Sequence, residues 1–182
     1  TGHTGFKGSW LALWLSSLGA KVTGVSKYVP TQPSHFESAQ IKDLIEDIRL
    51  DILNISALKK VIYKVKPDFV FHLAAQSLVS ESYLHPLKTF QVNTIGTANI
   101  LEIMRDFSRK SVLILITSDK CYLNREWIWG YKETDTLGGI DPYSASKASA
   151  EILINSYINS YFQKNSVVRI GIGRAGNVIG GG

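Results

Sequence analysis

One cysteine, one methionine and five prolines are all that this 182-residue chain holds of those types, and the scarcity has consequences. With Cys121 alone no internal disulfide can form, which fits a reducing compartment, and the cytoplasm is the expected location. No apolar run reaches the roughly eighteen residues that a spanning helix requires, and the first residues are glycine-rich and polar, unlike an export signal. No membrane partner is therefore expected. His3, His35, His72 and His85 stand at no ligand spacing, so no metal site is expected either. The net charge of +5 is spread along the chain rather than gathered into an aromatic-laced patch. Nucleic acid is thus not an expected partner, although a phosphorylated small molecule suits the charge.

What is present is apolar content of 45% with only 19% charged residues, enough for one globular domain with a sizeable core. Trp10, Leu11, Trp14, Leu15 and Leu18 recur at helical spacing before Gly19, which suits the left-handed residue after a helix. A short strand is read over Lys21 to Val25, and a loop with two prolines over Tyr28 to Ser34. Ser56 is the expected cap of a helix striped by Leu58, Val61, Ile62 and Val65 and ended by Pro67. Strands are read over Asp68 to Ala75, Ser111 to Thr117 and Val167 to Ile172, with helices over Pro86 to Phe107 and Tyr143 to Phe162. Helices alternating with short, continuously apolar strands indicate a doubly wound α/β fold, a parallel Rossmann-like sheet covered on both faces. Ligands of such sheets bind beyond the carboxyl ends of the strands.

Three segments carry chemistry. Thr1-Gly2-His3-Thr4-Gly5-Phe6-Lys7-Gly8 places a glycine at every third position directly before the first helix, where free N–H groups and a partial positive charge favour a pyrophosphate. The spacing differs from the commonest dinucleotide fingerprint. Thr117-Ser118-Asp119-Lys120 closes the clearest buried strand with a hydroxyl, a carboxylate and an amine. Tyr143 and Lys147 stand four apart on one helix face, where an ammonium beside a phenol favours the phenolate and would bring a tyrosine toward general-base duty. Of eight tyrosines only Tyr143 has lysine at that spacing.

The glycine loop, Leu73-Ala74-Ala75, Ser118 and the Tyr143/Lys147 pair occur in one order, and in that order the chain resembles the extended short-chain dehydrogenase/reductase family, in its NAD-dependent epimerase/dehydratase branch. The stretches HLAAQSLV, NREWIWGYKE, GGIDPYSASK and RAGNVIGGG extend the resemblance over essentially the whole chain. It implies bound NAD and a sugar nucleotide substrate, with a homo-oligomer built on the helices of residues 86–107 and 143–162. Gly2, His3, Gly5, Phe6, Lys7 and Gly8 would line the pyrophosphate turn, Asp47 and Ile48 would meet the adenine, and Leu73, Ala74 and Ala75 would pass along the cofactor. Tyr143 and Lys147 would also reach the nicotinamide ribose, while Gln76, Ser77 and Asn177 would face the substrate. Asn93 is read equally as a buried amide tying helix to strand or as a direct participant.

For a dehydratase of this family the resemblance implies oxidation at carbon 4, elimination across carbons 5 and 6, and hydride return to carbon 6. Tyr143 would take the 4-hydroxyl proton with Ser118 bridging, Lys120 would be the carbon 5 base and Asp119 the acid for the 6-hydroxyl. Dehydratases acting on other sugar nucleotides carry glutamate at the Lys120 position, and a phosphate contact is the alternative role for this lysine. An epimerase or ketoreductase would need Ser118, Tyr143 and Lys147 but not Asp119 and Lys120, and a non-catalytic dinucleotide-binding protein would need none of them. Ser26 and Lys27 stand where the dinucleotide fingerprint has an acid for the ribose hydroxyls. From the residues alone NADP stays open, while the resemblance favours NAD. The chain opens inside the glycine loop and closes on Gly180-Gly181-Gly182. A dinucleotide-binding domain lacking its first, central strand and its carboxyl-terminal substrate part is therefore expected, with unpaired edges, exposed apolar surface and no turnover alone.

Overall fold

The computed structural model describes residues 1–162 and 167–181; Gly182, the last of the three closing glycines, lies outside them. Helix α1 (Phe6–Ser17) leaves the glycine loop directly and stops before Gly19, whose φ of +83° is the left-handed conformation expected there. It buries Gly8, Ser9 and Ala12. The large residues do not face the core as their spacing suggested: Trp10 is 43% exposed, Trp14 63% and Leu18 69%. The reason is distance. A Cβ on residue 8 would lie 2.0 Å from the Gly2 carbonyl oxygen, so only a side of small residues can face the loop, and the indoles turn outward.

Strand β1 (Thr23–Ser26), the short helix α2 (His35–Ser38) and strand β2 (Glu46–Arg49) follow, with β1 and β2 parallel. Helix α3 (Ile55–Val65) is capped by Asn54, whose side chain accepts from Ala57 N at 3.1 Å, rather than by Ser56. Two adjacent residue types could serve, and the one three positions ahead of a free N–H does. Strand β3 (Phe69–His72) is shorter than the apolar run implied, because Leu73 to Ala75 leave the sheet. A short helix, α4 (Val79–Leu84), precedes a long one made of α5 (Pro86–Phe90), a π turn over Gln91–Ile95 and α6 (Gly96–Arg105). Strand β4 (Ser111–Ser118), helix α7 (Pro142–Tyr161) and strand β5 (Val168–Ala175) complete the order.

Strands β3, β4 and β5 form a second parallel sheet. Thr1 and Gly2 sit between the two sheets: Gly2 N donates to Val25 O at 2.8 Å, Thr1 N to Phe71 O at 2.6 Å, and Leu73 N to Thr1 O at 3.2 Å. The order across is therefore β2, β1, β3, β4, β5, all parallel, and the order of winding reverses between β1 and β3. That crevice is where a doubly wound sheet takes its ligand, and the glycine loop occupies its mouth.

The main core joins Leu58, Ile62, Ile100, Leu101 and Met104 from the helices to Leu113, Leu115 and Val168 from the sheet, with Ile154 of α7. A smaller cluster of Ala12, Phe36 and Ile41 lies under α1 and α2. Along β4 the alternate residues Val112, Ile114 and Ile116 are only half-buried, so the sheet is less evenly covered than continuous apolarity implied. The apolar exposure expected from the sequence is present at Phe69, which stacks on Phe71 at the β3 edge. Replacing Leu113, which is fully buried, by alanine is expected to cost about 2–5 kcal/mol by the cavity it leaves. Urea unfolding of the longest stable form carrying Leu113→Ala measures it, and a loss under about 1 kcal/mol would contradict this placement of the core.

Candidate active site

The three loop glycines serve different ends. Gly2 has φ of +78°, and a Cβ there would meet Ala74 N at 2.6 Å, while Gly8 must lack a side chain to let α1 down onto Gly2. Both are required by the protein's own backbone. Gly5 is not: its Cβ would find only Gly2 O, at an ordinary 3.5 Å. Gly5 is the residue before the first turn of α1, with no side chain capping that turn. A bare backbone with room beside it, at a helix start, fits a bound pyrophosphate. Phe6 and Lys7 open the same turn, and the Lys7 charge reaches Lys147 across the crevice.

His3 does something other than line this turn. It is buried, its Nε2 bonds Asp47 Oδ1 at 2.9 Å, and its ring lies so close over Gly24 that a Cβ there would be 2.4 Å away. It braces the loop against β1 and β2. Burial lowers its pKa against the pull of Asp47. The second Asp47 oxygen accepts from Arg49 at 2.8 Å, so both carboxylate oxygens already have protein partners, and adjacent Ile48 packs toward the core. Close by, a feature missed in the sequence appears: Asp51 pairs with Lys27 at 2.8 Å just beyond the ends of β1 and β2. Against the cost of burial, Lys27 and the Leu53 N–H keep the Asp51 carboxyl below its usual range. A carboxylate therefore does stand just beyond the ends of β1 and β2, paired with the lysine that sits where the fingerprint has its acid.

Leu73, Ala74 and Ala75 run past the loop, with Ala74 N donating to Thr1 Oγ1 at 3.3 Å. Gln76 differs from its expected role. Its amide donates to Leu78 O and Thr89 Oγ1 and accepts from Leu78 N, so it braces its own turn. Ser77 and Asn177 are exposed. Asn93 is the buried tie: from the π turn it accepts from Gln76 N at 2.8 Å and donates to Gln76 O at 3.0 Å and Ser146 Oγ at 2.9 Å. The extra residue of a π turn swings a side chain out of the helical ladder, and here the amide swung out joins α5 and α6 to α7. His72 is the core histidine expected, bonded to Thr1 and Thr97 and pushed down to about 3 chiefly by burial.

The proton-transfer groups converge where β4 ends. Ser118 Oγ accepts from Lys120 N at 3.2 Å, capping the turn Asp119–Cys121, and donates to Asp119 Oδ1 at 3.1 Å. The Tyr143 phenol lies near enough for Ser118 to influence its pKa. Asp141 caps α7, accepting from Ser144 N at 2.9 Å with Pro142 in the first turn, which presents Tyr143 at the mouth of the site. Lys147 follows one turn later and is 7% exposed. The electrostatics correct the sequence expectation. Burial raises the Tyr143 pKa, the neighbouring Ser118 hydroxyl alone opposes the rise, and Asp119 and Asp141 add to it. Burial, reinforced by Lys7, brings Lys147 down to about 8, with Cys121 and Glu151 opposing. A lysine this dry gives up its proton more readily than one in water. Asp119 and Lys120 are exposed on the turn, with Asp119 held to the Ser118 hydroxyl. The sole thiol, Cys121, is fully buried and pushed up to about 11, mainly by burial.

A parallel sheet with a glycine loop at its crossover, and a serine, tyrosine and lysine gathered at the carboxyl end of the next strands, defines an extended short-chain dehydrogenase/reductase. The chain belongs to the GDP-mannose 4,6 dehydratase family, whose sequence model matches residues 1–171. The CDP-glucose 4,6-dehydratase of Salmonella typhimurium is 48% identical over all of this chain and 52% of its own length. UDP-glucose 4-epimerase from Brucella ovis, solved in complex with NAD, superposes with a TM-score of 0.78 at 25% identity, over 94% of this chain and 49% of that one. The corresponding epimerase of Thermotoga maritima, solved with UDP-glucose, shares the fold with a TM-score of 0.81 at 23% identity, over 95% of this chain and 53% of its own. The chain thus spans about half the length of the relatives it matches.

The two kinds of loop glycine predict two phenotypes in the full-length protein. Gly8→Ala should disorder the loop and lower thermal stability together with dinucleotide binding. Gly5→Ala should fold normally yet weaken dinucleotide binding by about tenfold or more, roughly 1.4 kcal/mol. Calorimetric titration beside thermal unfolding separates the two, and unaltered binding by folded Gly5→Ala would remove Gly5 from the site.

Proposed function

We propose that this chain is the dinucleotide-binding domain of a sugar nucleotide 4,6-dehydratase that converts CDP-glucose to CDP-4-keto-6-deoxyglucose with bound NAD, the rest of the substrate site lying outside these residues. The observation that carries the reading is the turn at the end of β4, where Ser118 Oγ donates to Asp119 and accepts from Lys120 N, and where Ser118 and Asp119 both act on the Tyr143 phenol. It puts the groups needed for elimination beside those needed for oxidation. The similarity to the Salmonella enzyme supports the CDP-linked sugar. The likeness to the Brucella ovis epimerase, solved with NAD, supports NAD as the cofactor.

Gly2, Gly5 and Gly8 with the first N–H groups of α1 would hold the pyrophosphate, and Lys147 the nicotinamide ribose. NAD supplies the hydride acceptor for carbon 4 and the donor for carbon 6. Tyr143, as phenolate, takes the proton of the 4-hydroxyl, directly or relayed by Ser118, and the carbonyl formed at carbon 4 makes the carbon 5 proton acidic. Lys120 in its neutral form removes that proton. Asp119, protonated, hands its proton to the 6-hydroxyl. The carbon 5–hydrogen and carbon 6–oxygen bonds break, a carbon 5–carbon 6 double bond forms and water leaves. Because Lys120 is exposed on its turn, the desolvation that a lysine base requires must come from bound substrate.

An epimerase or ketoreductase is the second reading, supported by the fold shared with the Brucella ovis epimerase, and it leaves Asp119 and Lys120 without a task. Incubating full-length protein with CDP-glucose decides by product: a 4-keto-6-deoxy sugar supports the dehydratase, an epimer or a 4-hydroxy product the alternative. Lys120→Met should lose elimination and solvent exchange at carbon 5 while still oxidising carbon 4. Wild-type turnover in that variant would assign the lysine to phosphate contact. Tyr143→Phe should lose carbon 4 oxidation by about a hundredfold or more. In the wild type, activity should rise as pH is raised from neutrality, since burial holds the Tyr143 phenol protonated above its ordinary range and the phenolate is the base; a pH–rate profile checks this.

A further inference from the structure

Beneath the turn that carries Asp119 and Lys120 lies a buried ion pair to which no step of the chemistry assigns a task. Glu151 is 0% exposed. Its Oε1 accepts from Thr117 Oγ1 and from Arg174 Nε at 3.0 Å, and its Oε2 from Arg174 Nη2 at 3.1 Å. Thr117 and Arg174 are direct partners across β4 and β5, so one carboxylate spans the ends of both strands. The remaining arm of the guanidinium, Nη1, donates to Glu133 O at 3.0 Å, and its plane lies 4.8 Å over the Tyr122 ring. Thr117 immediately precedes Ser118, and Tyr122 immediately follows the Asp119–Cys121 turn. The pair therefore grips the turn at both ends and fastens it to α7.

Glu151 lies four residues beyond Lys147 and eight beyond Tyr143, on the same face of α7. Any rotation or slide of α7 that moved Tyr143 and Lys147 would have to break a forked contact with β5. Burying two charges this deeply is a poor route to stability, since apolar residues of similar volume hold a core at least as well. What the fork and the third arm supply is a fixed geometry among β4, β5, α7 and the segment before it.

We infer that Glu151 and Arg174, with Thr117, are positioning residues that hold the Ser118–Cys121 turn and the Tyr143/Lys147 face of α7 in register for catalysis. This rests on the dehydratase reading for its kinetic test, and it has a second readout that does not. The titratable groups around Lys147 are Lys7 from α1, His72 from β3, Cys121 from the turn and Glu151 from its own helix, of which Lys7 and Glu151 carry charge at neutral pH. Glu151 is on the side that favours the ammonium. Removing its charge should move Lys147 titration to lower pH whatever the substrate is.

The experiment uses the full-length protein with bound dinucleotide. Glu151→Gln keeps the shape and removes the charge. Arg174→Lys keeps the charge and loses the fork. The double variant Glu151→Leu with Arg174→Met removes both charges and stays apolar. All three are expected to lower kcat by about ten- to a hundredfold, as a small misplacement of reacting groups does, with KM changed by no more than about threefold. The double variant should retain wild-type thermal stability or exceed it. Rate loss at undiminished stability is the signature of positioning. A double variant with wild-type kcat, or loss of rate in all three that follows loss of folded protein, would overturn the inference. Nitrogen NMR of Lys147 in Glu151→Gln reads the electrostatic coupling without turnover: a shift to lower pH supports it, and an unmoved titration in the folded variant refutes it even if the sugar substrate proves to be another.

Discussion

Contact between backbones at the start of α1 is the constraint from which the arrangement of this domain follows. Gly8 admits the helix to within touching distance of Gly2, and Gly2 in turn touches Ala74 as the chain leaves β3. That triple approach sets how far α1 stands above the crossover between β1 and β3. It also decides which way the helix rolls, so that serine and alanine go inward and the indoles of Trp10 and Trp14 outward. The open position beside Gly5 is what remains once the other two glycines have met the protein's own needs.

A second theme is the cost of burying charge around the site. Lys147 is dry and has Lys7 for a neighbour, so it holds its proton less firmly than a surface lysine. Tyr143 is half-buried with two carboxylates near it, so it holds its proton more firmly than a tyrosine in water. The two shifts oppose the simplest account of a tyrosine and lysine in partnership, in which the amine alone makes the phenol acidic. In this site the serine hydroxyl only partly offsets the rise, and the lysine is not among the groups that move the phenol.

Much of this was legible in the chain. The apolar run closing on Ser118 reads as a buried strand and is one, the helix bearing Tyr143 begins within a residue of its expected start, and Gly19 has the conformation its position suggested. These are local properties, set by side-chain period and by what glycine permits. What could not be read is tertiary. The period of Trp10, Trp14 and Leu18 marks a stripe but not which side is covered. Asp51 reaches Lys27 only because β1 and β2 are neighbours, and the direction of the Tyr143 shift depends on burial. Glu151 had a faint signal, the four-residue step from Lys147, but its partner Arg174 lies on another strand.

Cys121 gives the fold a property of a different kind. It sits wholly enclosed beside Glu151, with a thiol that ionises only near about 11. At neutral pH about one molecule in ten thousand would carry the thiolate, and that anion would face no solvent. The single sulfur nucleophile, though only one residue from Lys120, is therefore inert to alkylating reagents and peroxide while the domain stays folded. Its reactivity becomes an indicator of opening: a maleimide that labels this chain has met an unfolded molecule.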